Sequence, residues 1–269
     1  MDFVEYGNTN SRLVVYFHGA PGGIEESSLF EKYARKNNLK FVCLDRFAID
    51  AALKGASYYQ SMAQQIELIA GGKSLDIIGF SLGAYVAIEV SRLLQDQVRQ
   101  LHLVSAVAPL DSGDFIDHMA GGLVFKLARE KPFIFKLVTH VQRFMATIAP
   151  KLFVKLLFAN SVGKDRTLIK RADFKQYITS IIKHCFQNRG SGYARDINLY
   201  SNWLGHSVTV CEPVSLWHGT DDNWTLFAMA SSLHKLMPNS LSITSMEGLS
   251  YYSCLHEAAP RICAQLGKT

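Results

Sequence analysis

Short apolar runs alternate with helical patterns over the first hundred residues of the chain. Short apolar runs are typical of strands buried on both faces of a sheet, and they occur at 13–17, 41–44, 75–78 and 101–107, of which the run at 13–17 is unbroken. A weaker pattern predicts an edge strand at 3–6. Apolar residues recur at helical spacing over 24–36, 58–70 and 84–94. Strands that alternate with helices in this way predict parallel β-α-β units.

The alternation stops after Pro109, and only helical patterns follow from Phe115 to about Leu204. Strand and helix patterns then alternate again over 214–217, 224–236, 241–245 and 252–266. We therefore predict an α/β fold with a mostly parallel central sheet, helices on both faces and a helical cap insertion. The predicted boundaries place the core at 1–110 and 211–269 and the cap at 111–210.

Composition supports one large folded unit and argues against a secreted or membrane-spanning protein. The 269 residues are 48% hydrophobic and 19% charged, which argues against disorder. The start, Met1-Asp2-Phe3-Val4-Glu5, does not resemble a secretory signal, and no apolar stretch reaches the roughly 18 residues of a membrane span. The five cysteines are odd in number and lack metal-ligand spacing, so we expect reduced thiols, no metal and a cytoplasmic location.

The residues Gly79-Phe80-Ser81-Leu82-Gly83 join a predicted strand directly to a predicted helix. A serine at such a junction lies at the tip of a sharp turn, and the flanking glycines leave room for the neighbouring strand and helix. The N–H group of Leu82 then lies at the start of the helix, where it would stabilise the negative charge of acyl transfer. The alternative is an ordinary helix-capping serine, but the order of strand, turn and helix favours a nucleophile.

Two further motifs follow predicted strands. They are His18-Gly19-Ala20-Pro21-Gly22 after 13–17 and His218-Gly219-x-x-Asp222 after 214–217. Together with the serine turn, and in this order, they resemble the α/β-hydrolase superfamily, in particular hydrolases with a helical cap. The resemblance covers about residues 3–109 and 213–267 and implies the α/β-hydrolase fold.

The resemblance implies roles for individual residues. Ser81 is implied as the nucleophile and Asp222 as the carboxylate that orients the base, with Asp221 as the neighbouring alternative. Either aspartate could instead cap the helix predicted at Trp224. The backbone N–H groups of Ala20 and Leu82 are implied as the oxyanion hole. His18 is implied to be structural.

The chain departs from the family pattern at its last loop. The catalytic histidine of the family follows a glycine just after the last strand, and in Gly248-Leu249-Ser250-Tyr251 that position holds Tyr251. A phenol with a pKa near ~10 is a poor base at neutral pH, and it lacks the second nitrogen through which a carboxylate orients an imidazole. The nearest histidine, His256, lies about 7 Å further along the helix axis and is the fallback base.

Two classes of function follow. The first is a serine hydrolase, without cofactor, that cleaves a small-molecule acyl ester, thioester or lactone through an acyl-enzyme on Ser81. The alternative is a catalytically impaired or non-catalytic hydrolase-fold protein that binds a hydrophobic or anionic ligand, and Tyr251 is the observation that favours it.

The predicted cap carries the positive charge of the chain. Between Asp114 and Cys211 fifteen Lys and Arg residues stand against six Asp and Glu residues, interleaved with many apolar residues. One interpretation is a set of helices that pack on the sheet with lysines in water. The other is an apolar acyl pocket with a basic surround, suited to an anionic amphiphile or to weak contact with an anionic membrane. The basic residues are not part of a nucleic-acid-binding motif, so we expect no nucleic acid partner.

Overall fold

A computed structural model describes residues 1–205 and 212–268. His206, Cys211, the predicted boundary at residues 210 and 211, and Thr269 lie outside the described residues. The described strands are β1 (Phe3–Gly7), β2 (Arg12–Phe17), β3 (Leu39–Leu44), β4 (Leu75–Phe80), β5 (Val98–Val104), β6 (Val214–Gly219) and β7 (Ser240–Met246).

Eleven α-helices lie in the described residues. They are α1 (Glu31–Lys36), α2 (Ala56–Ala70), α3 (Leu82–Leu94), α4 (Gly122–Glu130), α5 (Pro132–Ile148), α6 (Pro150–Leu157), α7 (Asp165–Leu168), α8 (Ala172–Cys185), α9 (Ser191–Ser201), α10 (Phe227–Leu236) and α11 (Tyr251–Leu266). Short 3₁₀ helices occur at Ile24–Phe30, Gln95–Gln97, Leu110–Ser112 and Asn188–Gly190. None of the helices in the described ranges is long and apolar enough to cross a lipid bilayer.

The seven strands form one sheet in the order β1-β3-β2-β4-β5-β6-β7. Only the pairing of β1 with β3 is antiparallel within this sheet, and the other strand pairs are parallel. Every residue of β4, the middle strand, is buried, which explains its largely apolar sequence. Its one charged residue, Asp76, forms an ion pair with Arg12 of β2. The predicted fold class, an α/β fold with a mostly parallel sheet, is confirmed.

The chain order reverses between β2 and β4. From β2 the chain continues outward to β3, whereas from β4 it continues in the opposite direction to β5. In open parallel sheets, ligands bind at such a switch point, beyond the carboxyl ends of the strands. The register pairs Phe17 with Gly79 and Phe80 with Val104, so the loops that follow β2, β4 and β5 meet at one edge.

Helices α4 to α9 lie between β5 and β6 in the chain, where the helical insertion is predicted. The exact domain boundaries stay a prediction.

Three element predictions need correction. The helix predicted over 24–36 begins as the 3₁₀ helix and becomes α-helical only at Glu31. The strand predicted over 101–107 ends at Val104, because Ser105 has a φ of +42°, which breaks the extended backbone. The helix predicted from Trp224 begins at Phe227, since the backbone before it forms a turn around Asp222.

Candidate active site

Ser81 lies at the tip of a sharp turn between β4 and α3. Its φ of +56° and ψ of −124° are costly for a residue with a side chain, on the order of 1–3 kcal/mol. A Cβ atom at Gly79 would lie 2.6 Å from Cα of Ala84, and one at Gly83 would lie 2.3 Å from the carbonyl oxygen of His18. Glycine is therefore required on both sides of the serine, and the turn holds Ser81 at the edge of a cavity.

Two residues from different elements, Ala20 and Leu82, line the same cavity. Leu82 is the first residue of α3, so its N–H group has no acceptor within the helix. Arg46, fully buried, donates hydrogen bonds to the carbonyl groups of His18 and Gly19 at 2.6 and 2.8 Å. Because a trans peptide holds C=O and N–H on opposite sides, the N–H group of Ala20 points away from Arg46, and Ala20 lines the cavity.

Asp222 is buried, and hydrogen bonds hold its carboxylate in a turn. One oxygen accepts the N–H groups of Trp224 at 2.9 Å and Thr225 at 3.0 Å, and the other accepts the Thr225 hydroxyl at 3.0 Å. Burial raises the pKa of Asp222 to about 6, and these hydrogen bonds limit the rise. Asp221 is exposed. Asp222 therefore caps the turn before α10, the alternative role that its sequence position allows.

Tyr251, the first residue of α11, lines the cavity beside Ser81. Its ring stacks on Trp224 with centroids 5.2 Å apart and packs on Phe80 at 4.5 Å. Burial raises the pKa of Tyr251 well above 10, and nearby Glu26 and Asp222 raise it further. The phenol is therefore protonated at neutral pH and cannot act as a general base.

The Tyr251 hydroxyl has no hydrogen-bond partner among the described residues, although the side chain is only 1% exposed. It lies against Gly19, where an added Cβ would be 3.1 Å from the phenol oxygen. Ser81 is close enough to lower the pKa of the phenol slightly, but the two hydroxyl groups do not form a hydrogen bond in the structure. A buried donor without a partner is costly, so this hydroxyl is available to an acceptor atom of a ligand.

The structure does not bring His256 into this cavity. Its ring packs against Phe174 and Tyr177 at 5.6 and 5.9 Å, and burial lowers its pKa to about 4. His118 is the one histidine among the described residues that line the cavity, and its exposed ring lies 3.6 Å from Asp114. Among the described residues, neither the fallback base nor another histidine therefore lies beside Ser81 in the way that Tyr251 does.

A buried carboxyl group lies behind the loop that carries Ala20. Glu26 is fully buried and accepts hydrogen bonds from the Tyr16 hydroxyl at 2.7 Å, the Gly19 N–H at 2.8 Å and the Tyr252 hydroxyl at 3.4 Å. Burial raises the pKa of Glu26 to about 7, against the effect of these hydrogen bonds. Glu26 thus ties β2, the loop that carries Ala20 and α11 together beneath the site.

Helices α4 to α9, which we call the cap, contact the start of α11 and the residue Arg46 that binds the loop carrying Ala20. Asp165 of α7 accepts the N–H groups of Tyr252 and Ser253 at the start of α11. Asp196 of α9 forms a buried ion pair with Arg46. The site is therefore assembled from both parts of the chain.

His184 of α8 joins the cap to the core through two carboxylates. Its ring nitrogens lie 2.9 Å from Glu25 and 3.0 Å from Asp45. Burial alone would lower the pKa of His184, but the hydrogen bonds with Asp45 and Glu25 outweigh it and raise the pKa to about 9. His184 is therefore charged at neutral pH.

The cavity above Ser81 has a volume of about 410 Å³. Apolar side chains of the cap form much of its wall, among them Val124, Phe125, Phe153, Leu157, Phe186 and Ile197. A few polar groups, including Gln142 and Asn160, interrupt this wall. Concave, mostly apolar cavities with a few polar groups bind small organic molecules. Within the described ranges, no cluster of His, Cys, Asp and Glu side chains could hold a metal ion.

Sequence reasoning missed three residues that shape the site. Arg46 lies two residues after the end of β3, at the carboxyl edge of the sheet, and a charged residue in that position could have been singled out. No sequence motif near Glu26 or Asp165 indicates that these residues belong to the site. Asp165, for example, is 88 residues from its partner Ser253.

No family model matches the sequence, and a search of curated proteins finds no match. Solved structures do match in fold. A bromoperoxidase from Bacillus anthracis is 15% identical with a TM-score of 0.71, and the match covers 99% of this chain and 95% of that chain. An α/β-hydrolase enzyme from a Medee basin deep-sea metagenome library is 14% identical with a TM-score of 0.66, covering 98% and 92%.

A putative lipase from Acinetobacter baumannii is also similar, at 14% identity and a TM-score of 0.70, with 98% of this chain and 84% of that chain covered. At such identities the likeness concerns the fold alone. The chain has the α/β-hydrolase fold, and the resemblance carried by its three sequence motifs is confirmed at that level.

Proposed function

We propose that the protein is a serine hydrolase that cleaves an acyl ester, thioester or lactone through an acyl-enzyme on Ser81. The observation that carries the proposal is the positive φ of Ser81 at the tip of a glycine-flanked turn. A strained backbone persists where the surrounding structure enforces it, and such strain is concentrated at active sites. Ala20 and Leu82 line the same cavity as Ser81, which supports the proposal that their N–H groups form the oxyanion hole.

In this proposal Ser81 Oγ attacks the carbonyl carbon of the acyl group. The carbonyl oxygen becomes negatively charged and lies between the N–H groups of Ala20 and Leu82, which stabilise it. Collapse of this intermediate breaks the bond to the leaving group, which takes up the serine proton. Water then hydrolyses the acyl-enzyme. The apolar wall of the cavity would hold the acyl chain.

Tyr251 limits the rate that this mechanism can reach. A positioned general base contributes about 10²–10⁴-fold, and a protonated phenol does not supply that contribution. An oxyanion hole and substrate binding alone give about 10³–10⁴-fold over water. We therefore expect slow turnover, with Ser81 still acylated by reactive compounds.

The proposal is tested by labelling with a fluorophosphonate probe, followed by mass spectrometry of the modified peptide. Ser81 should carry the label, and Ser81→Ala should abolish it. Ser57→Ala, in the exposed first turn of α2, is the matched control and should label as the parent does. A His118→Gln variant is included, because loss of labelling there would identify His118 as the base. If neither the folded parent nor the folded variant Tyr251→His is labelled, Ser81 is not an active nucleophile.

A second candidate function is non-catalytic binding of an acyl compound, and the Tyr251 hydroxyl favours it. This buried donor has no partner among the described residues, and it faces the cavity where a ligand carbonyl oxygen would lie. Fatty acids and their esters should then raise the melting temperature without being hydrolysed. Tyr251→Phe should reduce that stabilisation, whereas hydrolysis of the same esters by the parent would favour the first function.

A further inference from the structure

The cap exposes an unusual number of large apolar side chains. Nine of the sixteen that the described residues expose lie between Leu123 and Leu156. Monomeric proteins rarely expose contiguous apolar patches, and large ones mark surfaces that contact a partner or a membrane. The region therefore has a role beyond packing on the core.

Five of these side chains form a stripe along α5, which we call the apolar stripe: Phe133, Leu137, Val141, Phe144 and Ile148. At 100° per residue they fall within a sector of about 80° on the helix surface. Phe133 is 88% exposed, Leu137 65% and Phe144 61%.

The buried residues of α5 lie on the other side of the helix. They are Phe135, Thr139 and Ala146, and their mean direction is about 180° from the centre of the apolar stripe. The core side of α5 is therefore already packed. The stripe is a second apolar face, and the described residues do not cover it.

Basic residues border the apolar stripe. Lys136 and Arg143 lie about 60–80° from one edge of the stripe, between it and the buried face. Exposed Lys151 and Lys155 follow on α6, together with exposed Leu152. Residues 131–164 contain no Asp or Glu. The surface thus combines apolar side chains with uncompensated positive charge.

We propose that α5 docks the protein on an anionic lipid bilayer, with the apolar stripe inserted at the level of the headgroups. A helix with an apolar face bordered by lysine and arginine lies in the plane of such an interface, and each basic residue near it adds attraction to anionic lipids. The charge of this surface is what favours a bilayer over a second copy, since two copies would bring like charges together. The proposal extends the function beyond catalysis and does not depend on activity at Ser81.

A groove between α6 and α8 continues this surface. It is lined by Lys151, Lys155 and Leu156 from α6 and by further lysines of α8. Leu156 also lines the cavity above Ser81. Docking would therefore bring the wall of the cavity close to the lipid.

The experiment is co-sedimentation of the full chain with vesicles of phosphatidylcholine that contain about a third phosphatidylglycerol, and with vesicles of phosphatidylcholine alone. The parent should bind the anionic vesicles and bind phosphatidylcholine weakly. The double variant Leu137→Gln, Phe144→Gln should lower the affinity about 100-fold, because both side chains would lose their apolar environment. Its matched control is Leu68→Gln, Leu241→Gln, which changes similarly exposed leucines outside the cap and should bind as the parent does.

The contribution of charge is tested with Lys136→Gln, Lys151→Gln, for which we expect about a tenfold loss that high salt reduces. The control is the double variant Lys36→Gln, Lys73→Gln, which changes exposed lysines outside the cap and should bind as the parent does. The altered side chains are exposed and do not line the cavity, so hydrolysis of a soluble ester and thermal stability should stay unchanged.

Failure of the parent to bind anionic vesicles would overturn the proposal, as would unchanged binding by Leu137→Gln, Phe144→Gln. The molar mass in solution gives a further check. A parent dimer that this variant converts to a monomer, without vesicle binding by either, would assign the stripe to a second copy and overturn the lipid proposal.

Discussion

Asp165, in the cap, accepts a hydrogen bond of 2.7 Å from the backbone N–H group of Ser253, in the core. Its second carboxylate oxygen accepts the N–H group of Tyr252 at 3.0 Å. The first N–H groups of a helix have no acceptor within the helix, so a residue far away in the chain caps α11. Tyr251 begins this helix, and the cap therefore fixes the side chain that faces Ser81.

We expect Asp165→Ala to lower the free energy of unfolding by about 2 kcal/mol, because two buried N–H groups lose their acceptor. Asp165→Asn keeps one acceptor oxygen and should cost less. Urea unfolding followed by circular dichroism measures both. The control is Asp173→Ala, which removes an exposed carboxylate of α8 paired with Arg171. Equal losses in the two alanine variants would show that capping by Asp165 adds nothing.

Glu26 should make the stability of the fold depend on pH. Burial raises its folded-state pKa to about 7, above the usual value of 4.5, so the folded state favours the protonated form. The stabilising effect is therefore complete below pH 4.5 and is lost as the pH rises through about 7, on the order of 3 kcal/mol in total.

Glu26→Gln keeps the acceptor oxygen without ionising, so the unfolding free energy of the parent should fall relative to this variant between pH 4.5 and 8. Glu31→Gln, on exposed α1, is the control and should follow the parent. Parallel curves for the parent and Glu26→Gln would contradict the raised pKa.

His184 should give a pH dependence in a different window. Its folded-state pKa of about 9 lies above the usual 6.5, so its ion pairs with Asp45 and Glu25 stabilise the fold fully below pH 6.5. That contribution, about 1–2 kcal/mol after screening by water, is lost as the pH rises through 9. His184→Gln should therefore destabilise the protein at pH 7 but much less at pH 10.

The measurement for His184 is urea unfolding of the parent and His184→Gln at both pH values. His140→Gln, an exposed histidine of α5, serves as the control and should have little effect. A constant difference between the parent and His184→Gln at pH 7 and pH 10 would mean that packing, and not charge, joins the cap to the core here.

The sheet could be predicted from the sequence because its signals are local. A strand such as β4, buried on both faces, is largely apolar in sequence, and the turn at Ser81 needs glycine within two residues on each side. The positions of Ser81, Ala20 and Leu82 around one cavity follow from such motifs together with the order of parallel strands.

The rest of the site could not be predicted, since it depends on contacts between distant residues. Nothing near Glu26 indicates that its carboxyl group turns inward to Gly19 and Tyr252. The hydrogen bonds of Asp222 with Trp224 and Thr225 are local and match the capping role that its sequence position allows. The role of Asp222 in orienting a base stays a prediction. The exposure of the apolar stripe on α5 could not be predicted either, because apolar residues at helical spacing normally indicate the side of a helix that faces the core.

Tyr251 stands where the family pattern has the catalytic histidine, so a histidine there should supply the missing base. An imidazole at 251 would lie beside Ser81 and stack on Trp224 as the phenol ring does. The carboxylate of Asp222 accepts three hydrogen bonds, and each oxygen has two lone pairs, so it can accept one more from an imidazole N–H. Tyr251→His should therefore raise hydrolysis of a short-chain ester by about 10²–10⁴-fold, the contribution of a positioned base.

The matched control for Tyr251→His is Tyr252→His, which places the imidazole near Glu26, the partner of the native hydroxyl, and should give no gain. Adding Ser81→Ala to Tyr251→His should abolish the gain, because the imidazole then has no nucleophile to deprotonate. Adding Asp222→Asn should reduce it, because the ring loses its orienting carboxylate. Steady-state kinetics on the purified variants measure all four proteins. If Tyr251→His folds and shows only the activity of the parent, the loop does not hold position 251 in the geometry of a base, and acyl binding becomes the better account of the site.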